Sequence, residues 1–343
     1  ALSSYSSTSY YRYKWCSDSS SCDASWTAIT GTRTSTQVSG SITTPSTEGI
    51  HYLWIEGDAR DLAINYVSNS TNIEGLTSTS SDARVFKVIV DRTAPILTIG
   101  TPTSGTIIGT GTNTTHYAQS NKNVTITFTD NYALYYYTST SYYRYKWCTS
   151  SSSCDASWTA ITGTRTLTQV SGSITTPSTA GVYYLWIEGD VKDLVGHYMS
   201  NSANIGGITS TSYSTRIFKF NIDNTAPVVS VSSGNTSTYT YLKNGSSITI
   251  TITDSSYGFN ASGGYLSVEL WDGEDPVASG DLTVSSSNSG ITTKTYTMTI
   301  STTVTRELKV RISALTDYAG NAATTAIYLY YIEIIRKIKR CNQ

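Results

Sequence analysis

The chain has 343 residues, a formal net charge of −1 and 14% charged residues, while 110 positions are Ser or Thr. Near-neutral charge, with no basic block longer than Arg336, Lys337, Ile338, Lys339, Arg340, argues against a nucleic-acid binder or an electrostatically held membrane protein. The longest apolar run, Ala326 to Ile332, stops at Glu333, so no transmembrane helix is expected, and the opening Ala1-Leu2-Ser3-Ser4 has none of the features of a signal peptide.

The first recognisable elements, Tyr-Arg-Tyr-Lys-Trp-Cys at 11–16 and Tyr-Leu-Trp-Ile-Glu-Gly-Asp at 52–58, return at 143–148 and 184–190. The offset is 132 in both cases, and it also carries Trp26 to Trp158, Asp61 to Asp193, Phe86 to Phe218, Asp91 to Asp223 and Pro95 to Pro227 without a gap. A period of that size is a whole domain rather than a solenoid repeat. Joints follow at Val90-Asp91-Arg92-Thr93-Ala94-Pro95 and Ile222-Asp223-Asn224-Thr225-Ala226-Pro227, where Pro ends a strand and begins an extended segment. They divide the chain into 1–91, 92–223 and 224–343, the third part diverged but with Trp271 standing where the repeats have Trp15 and Trp147.

Thr, Val, Ile, Tyr and Trp are abundant, and no 12-residue stretch has helical apolar spacing, so the elements read as strands. In the middle part these fall at 96–100, 123–130, 142–148, 166–174, 182–190 and 215–222, with the Thr- and Gly-rich segment 101–122 read as an accessible loop. The third part reads as strands at 228–233, 247–254, 264–271, 281–286, 292–300, 306–316 and 325–335. Period-2 alternation, as in Val124, Ile126, Phe128 against Thr125, Thr127, Thr129, makes each part a β-sandwich.

The Asp-x-Thr-Ala-Pro joints, the Tyr183–Asp190 strand and the closing Thr316-Asp317-Tyr318-Ala319-Gly320-Asn321 resemble the bacterial Ig-like domains strung along large prokaryotic surface proteins. The resemblance implies an all-β fold of tandem Ig-like β-sandwich domains in an extracellular, cell-surface setting, serving as adhesin stalks, surface-layer components or fibre subunits. Related arrays bind calcium at their joints. That implication turns attention to Asp58, Asp61 and Asp91 and their partners Asp190, Asp193 and Asp223, whose plain alternative role is to cap turns. No other cofactor is expected.

Residue 1 aligns with Ala133, so the first domain lacks counterparts of 92–132 and with them its N-terminal strands. Open strand edges invite a strand from another chain, which leads to an expected function as a filament subunit assembled head-to-tail from copies of itself by donor-strand complementation. A fragment of a longer array is the plain alternative, and a stalk or glycan- or host-binding segment of an adhesin is the competing function. Nucleophile motifs, phosphate loops and recurring catalytic histidines are missing, so no enzyme activity is expected. Lys243, Asn321 and Glu269 are the one trio that could form an internal isopeptide.

Cys16 with Cys22, and Cys148 with Cys154, each enclose five residues. This spacing fits a disulfide clamping a hairpin loop and hence an oxidising compartment, reduced surface thiols being the alternative; zinc would need two further ligands. Cys341 remains, as a possible intermolecular thiol or a spectator. Alternation puts Arg12, Lys14, Tyr52 and Trp54 in the first repeat, and Arg144, Lys146, Tyr184 and Trp186 in the second, on the outward faces of neighbouring strands. Such a stripe suits a lateral protein contact or a glycan, or else cross-strand packing within the domain. Sequons for glycosylation occur at Asn69, Asn113, Asn123, Asn235, Asn244 and Asn260, about as many as chance predicts from the Ser and Thr content.

Overall fold

The computed structural model describes residues 1–8, 10–56, 60–64, 76–77, 83–109, 114–188, 191–199, 208–209, 215–232, 238, 240–243, 245–254, 266–272, 275–282, 293–299, 306–313, 316–324 and 326–333. Every regular element among them is a β-strand. The chain forms two compact units, Ala1–Ala94 and Pro95–Gln343.

The middle sequence repeat shows the architecture most fully. One sheet has the order Gly163–Thr166, Gln169–Thr175, Asn123–Thr129, Ile96–Ile99. The facing sheet runs Thr159–Ala160, Arg144–Cys148, Gly181–Glu188, Thr215–Ile222, Thr115–Ala118, Thr106–Ile108. All pairings are antiparallel except Thr115–Ala118, which runs parallel to Thr215–Ile222. Two sheets in this order are an Ig-like sandwich.

The alternation seen in the sequence generates the core. Val124, Ile126, Phe128, Val170, Ile174 and Leu97 of one sheet meet Tyr143, Leu185, Ile187, Phe218, Phe220 and Ile222 of the other, each at most 3% exposed. Burying each such side chain is worth roughly 1.5–3 kcal/mol, enough together to fix the register of every strand.

The segment 101–122 is not the loop expected from its composition. It contains the strands Thr106–Ile108 and Thr115–Ala118, the second alternating half-buried Thr115 and Tyr117 with buried His116 and Ala118. Four residues are too few for a visible period. Their place is set by backbone pairing with Thr215–Ile222 and by the stacking of His116 on Phe220.

Past Asp223 the order recurs. Val228–Val231, Ser247–Thr253 and Thr293–Thr299 form one sheet. Thr240–Lys243, Ala326–Glu333, Arg306–Ser313, Leu266–Asp272 and Asp275–Leu282 form the other, with Thr240–Lys243 parallel to Ala326–Glu333. The strand expected at 281–286 is instead Asp275–Leu282, which closes a hairpin with Leu266–Asp272.

Unit Ala1–Ala94 has the same pairing with fewer strands. Thr27–Ala28, Arg12–Cys16, Gly49–Glu56, Ala83–Val90 and Leu76–Thr77 form a sheet, and Gly31–Arg33 pairs with Val38–Gly40 beside it. Leu53, Ile55, Phe86 and Val38 are half-buried there, whereas their counterparts Leu185, Ile187, Phe218 and Val170 are at most 1% exposed. The difference follows from the strands Ile96–Ile99 and Asn123–Thr129, which cover the middle core and have no counterpart among the described residues of 1–94.

Candidate functional site

The most unusual chemistry lies where the middle sandwich meets the third. Asp223 follows the strand Thr215–Ile222, Asp254 follows Ser247–Thr253, and Asp317 sits in the loop before Ala326–Glu333. The three are 1%, 3% and 1% exposed, and one carboxylate oxygen from each lies within 4.8 Å of the others. Asp223 Oδ1 accepts hydrogen bonds from the Thr225 amide at 2.9 Å and hydroxyl at 2.6 Å, leaving Oδ2 buried with no hydrogen-bond partner among the described residues. Asp317 Oδ1 accepts from the Asn321 amide at 2.8 Å and Oδ2 from the Asn321 side chain at 2.7 Å. Burial pushes the Asp317 carboxyl up to about 6 against the opposing Asn321 hydrogen bonds, and the charges of Asp223 and Asp254 add to the rise.

Packing makes this joint close. Asn321 also donates to the Asp223 carbonyl at 3.1 Å, and Tyr318 lies against Tyr117 with ring centroids 5.1 Å apart. Asn224 Oδ1 accepts from the Ser120 amide at 2.8 Å. Gly320 has a φ of +85°, and a Cβ there would lie 2.7 Å from the Ser104 carbonyl oxygen. Only glycine suits both the left-handed backbone and that approach.

Buried like charges repel strongly unless protonated or matched by a cation. An all-oxygen set of three carboxylates, one with a buried oxygen left without a donor, fits a hard divalent cation such as calcium. Asp223 came from the repeat pattern. Asp254 and Asp317 did not, although the Asp317–Asn321 loop was visible as part of the closing motif. Its spacing matches Asp193 and His197, where Asp193 Oδ1 accepts from the His197 amide at 2.8 Å and Oδ2 pairs with the ring at 2.7 Å.

Asp91 is buried, its Oδ1 accepting from the Thr93 amide and hydroxyl, both at 3.1 Å. Asp61 is half-buried and forms an isolated bridge with Leu2. Asp58 and Asp190 lie outside the described residues, as do Cys341 and the sequons Asn69, Asn113, Asn235, Asn244 and Asn260. Asn123 is exposed at the start of its strand. Of the isopeptide trio, Lys243 is exposed and the Asn321 amide is engaged by Asp317 and Asp223, while the Glu269 side chain lies outside the described residues.

The outward stripe is occupied within its own domain. Lys146 pairs in register with Trp186, and its ammonium lies 5.2 Å from that ring and 4.8 Å from the Trp158 ring. Arg144 sits 5.5 Å over Trp158 and reaches Glu188 at 2.5 Å. The first repeat copies this with Lys14 between Trp26 and Trp54, and Arg12 on Glu56. Tyr52 and Tyr184 face Cys16 and Cys148 in register. Both expected disulfides are present, with Cα atoms 5.6 Å apart. Each loop is tied to the ladder, since Lys146 Nζ donates to the Cys154 carbonyl at 2.9 Å and Trp186 Nε1 to the Ser150 carbonyl at 3.2 Å.

No family model matches the chain, and no curated protein matches it. Among solved structures it is similar to the N-terminal four Ig domains of Dscam1 isoform 9.44, at 9% identity and a TM-score of 0.23, over 83% of this chain and 55% of that one. A second is the N-terminal eight Ig domains of Down Syndrome Cell Adhesion Molecule isoform 1.30.30, at 10% identity and a TM-score of 0.19, over 95% of this chain and 36% of that one. The chain thus spans only part of either structure. The Ig-like assignment rests on the strand order above and not on scores this low. No helix among the described residues is long and apolar enough to cross a membrane.

Proposed function

We propose that this chain is an extracellular structural protein of a cell surface, built of Ig-like domains bounded at 1–91, 92–223 and 224–343. Copies join head-to-tail, the open sheet of the first domain receiving strands from a neighbouring copy. The observation that carries this reading is the contrast between half-buried Leu53 and Ile55 and fully buried Leu185 and Ile187. A strand added at an open sheet edge gains backbone pairing and also covers core side chains left half-exposed.

Calcium belongs to the same reading. Held by Asp223, Asp254 and Asp317, it would bind both sandwiches of the unit at once and stiffen the joint; its contribution is charge compensation, not chemistry. The two disulfides support an oxidising, extracellular setting. The test is the intact mass and N-terminal sequence of native material, with negative-stain microscopy of the same sample. Filaments are the expected result. An upstream sequence carrying the missing strands overturns the donor-strand step.

A further inference from the structure

The joint between the middle and third sandwiches shows how two of these domains dock. The strand Thr115–Ala118 of one brings Tyr117 against Tyr318 in the acidic loop of the other, with ring centroids 5.1 Å apart. Tyr117 is half-buried there and Tyr318 is 4% exposed. Two residues on, Gly320 has the left-handed backbone that lets the loop approach the Ser104 carbonyl.

Both halves of that contact recur in the chain. Residues 116–130 and 240–254 align without a gap, Tyr117 with Tyr241 and Asp130 with Asp254. Backbone pairing agrees, since Tyr117 lies opposite Asn221 in one parallel ladder and Tyr241 opposite Tyr331 in the other. Tyr241 is therefore the third sandwich's counterpart of Tyr117, and it is 74% exposed. The loop Asp317-Tyr318-Ala319-Gly320-Asn321 has its counterpart in the first unit as Asp61-Leu62-Ala63-Ile64-Asn65, with Leu62 where Tyr318 stands. Leu62 is 70% exposed and Ile64 63%. Ile64 also takes the left-handed backbone of Gly320, with a φ of +68°, which a β-branched residue adopts only at a cost. Tyr241 and Leu62 are the two most exposed large apolar side chains among the described residues. Scattered exposed apolar residues need no explanation, but these stand at the two halves of a contact that the chain makes at its own joint.

We propose that the end of the third sandwich carrying Tyr241 docks on the Leu62 loop of a second copy, reproducing between chains the contact that Tyr117 and Tyr318 make within one. The assignment rests on the head-to-tail reading, which brings a neighbouring copy to the first domain, but it does not require a donated strand. The middle repeat has the same loop as Asp193–His197, with Leu194 61% exposed, and is the competing acceptor. A ring laid on Leu62 buries apolar surface while its hydroxyl stays at the wet rim. Because the two surfaces differ, the contact is heterologous, and its repetition adds copies in one direction, as a ring or an open filament according to the rotation at each step.

The test uses the full oxidised chain in a Cys341→Ser background. Leu62→Cys and Tyr241→Cys are prepared separately, mixed, and treated with a short bismaleimide. Mixed dimers in excess of the product from either preparation alone are expected, and Leu194→Cys in place of Leu62→Cys should give fewer. Sedimentation at increasing concentration reads the strength of the contact: Tyr241→Ser should weaken self-association about tenfold, and Tyr241→Phe should retain it. Melting temperatures of these variants should stay close to that of the native chain, since both side chains are largely exposed. Failure to form mixed dimers while the native chain still self-associates overturns the docking and leaves the head-to-tail reading standing. A native chain that does not self-associate overturns both. Crosslinking to Leu194→Cys as strong as to Leu62→Cys overturns the assignment to the first unit.

Discussion

Asn321 Nδ2 donates to the backbone carbonyl of Asp223 across 98 residues of sequence, while the same amide group holds Asp317. One side chain therefore links the last residue of the middle sandwich to the acidic loop of the third. Truncation by Asn321→Ala removes both hydrogen bonds and leaves Asp317 more poorly compensated, at a cost of about 2 kcal/mol. Urea denaturation of the full chain measures it. A loss within error of zero would mean that the joint is held by its other contacts, Tyr117 with Tyr318 and Ser120 with Asn224.

Calcium should act on the same residues. Any ligand binding only the folded state stabilises by mass action, about 2.7 kcal/mol at a hundredfold excess over Kd. Thermal melts with calcium and with chelator should therefore differ in the native chain and coincide in Asp317→Asn. In chelator alone Asp317→Asn should be neutral or stabilising, since it removes one of three crowded carboxylates. Equal melts of the native chain in both buffers would refute the metal reading.

A buried histidine makes the middle sandwich acid-sensitive. His116 is 2% exposed, stacked 4.5 Å from Phe220, and burial holds its imidazole down at about 4 against an ordinary 6.5. Between those values the unfolded chain binds a proton that the folded chain refuses. Stability from this group is complete above pH 6.5 and declines as pH falls toward 4, by up to about 3 kcal/mol. Asp317, pushed up to about 6 from 3.8, has the opposite sign in calcium-free buffer and gains stability as pH falls through that interval. Comparing the native chain with His116→Phe isolates the histidine. Their stability difference should change across pH 4–6.5 and be flat above it.

Much of the sandwich was legible because its cue is local. Val124, Ile126 and Phe128 alternate with Thr over one strand, and every one of the three is fully buried. The shared outward face of Lys146 and Trp186 followed from the same alternation and from adjacency of the two strands, while their register is set by the pairing itself. The short strands Thr115–Ala118 and Thr240–Lys243 were not legible, since each is defined by parallel pairing with a strand far along the chain. Asp223 stood out because its repeat partner is Asp91. Asp254 and Asp317 lie in the diverged third part, and nothing local in the sequence brings them to Asp223.

Each disulfide should act locally. Cys148 and Cys154 are six residues apart, and closing so short a loop stabilises by about 2 kcal/mol. Replacing both by Ser, or reducing them, should lower the melting temperature modestly and leave the strand spectrum intact. Unchanged melting on reduction would mean that Lys146 and Trp186 hold the loop without the bridge.

The open sheet of the first unit gives the most direct comparison, because the repeat supplies its own control. Leu185→Ala creates a cavity in a closed core and should cost about 3 kcal/mol. Leu53 occupies the same position in the first repeat but is half-buried, facing no strand like Asn123–Thr129, so Leu53→Ala should cost about 1 kcal/mol. Chemical denaturation of the isolated chain at low concentration reads both. In assembled material a donated strand would cover Leu53, and the two costs should converge. Equal costs in the dispersed chain would mean that the Leu53 face is already covered, and the strand-acceptor reading would fail.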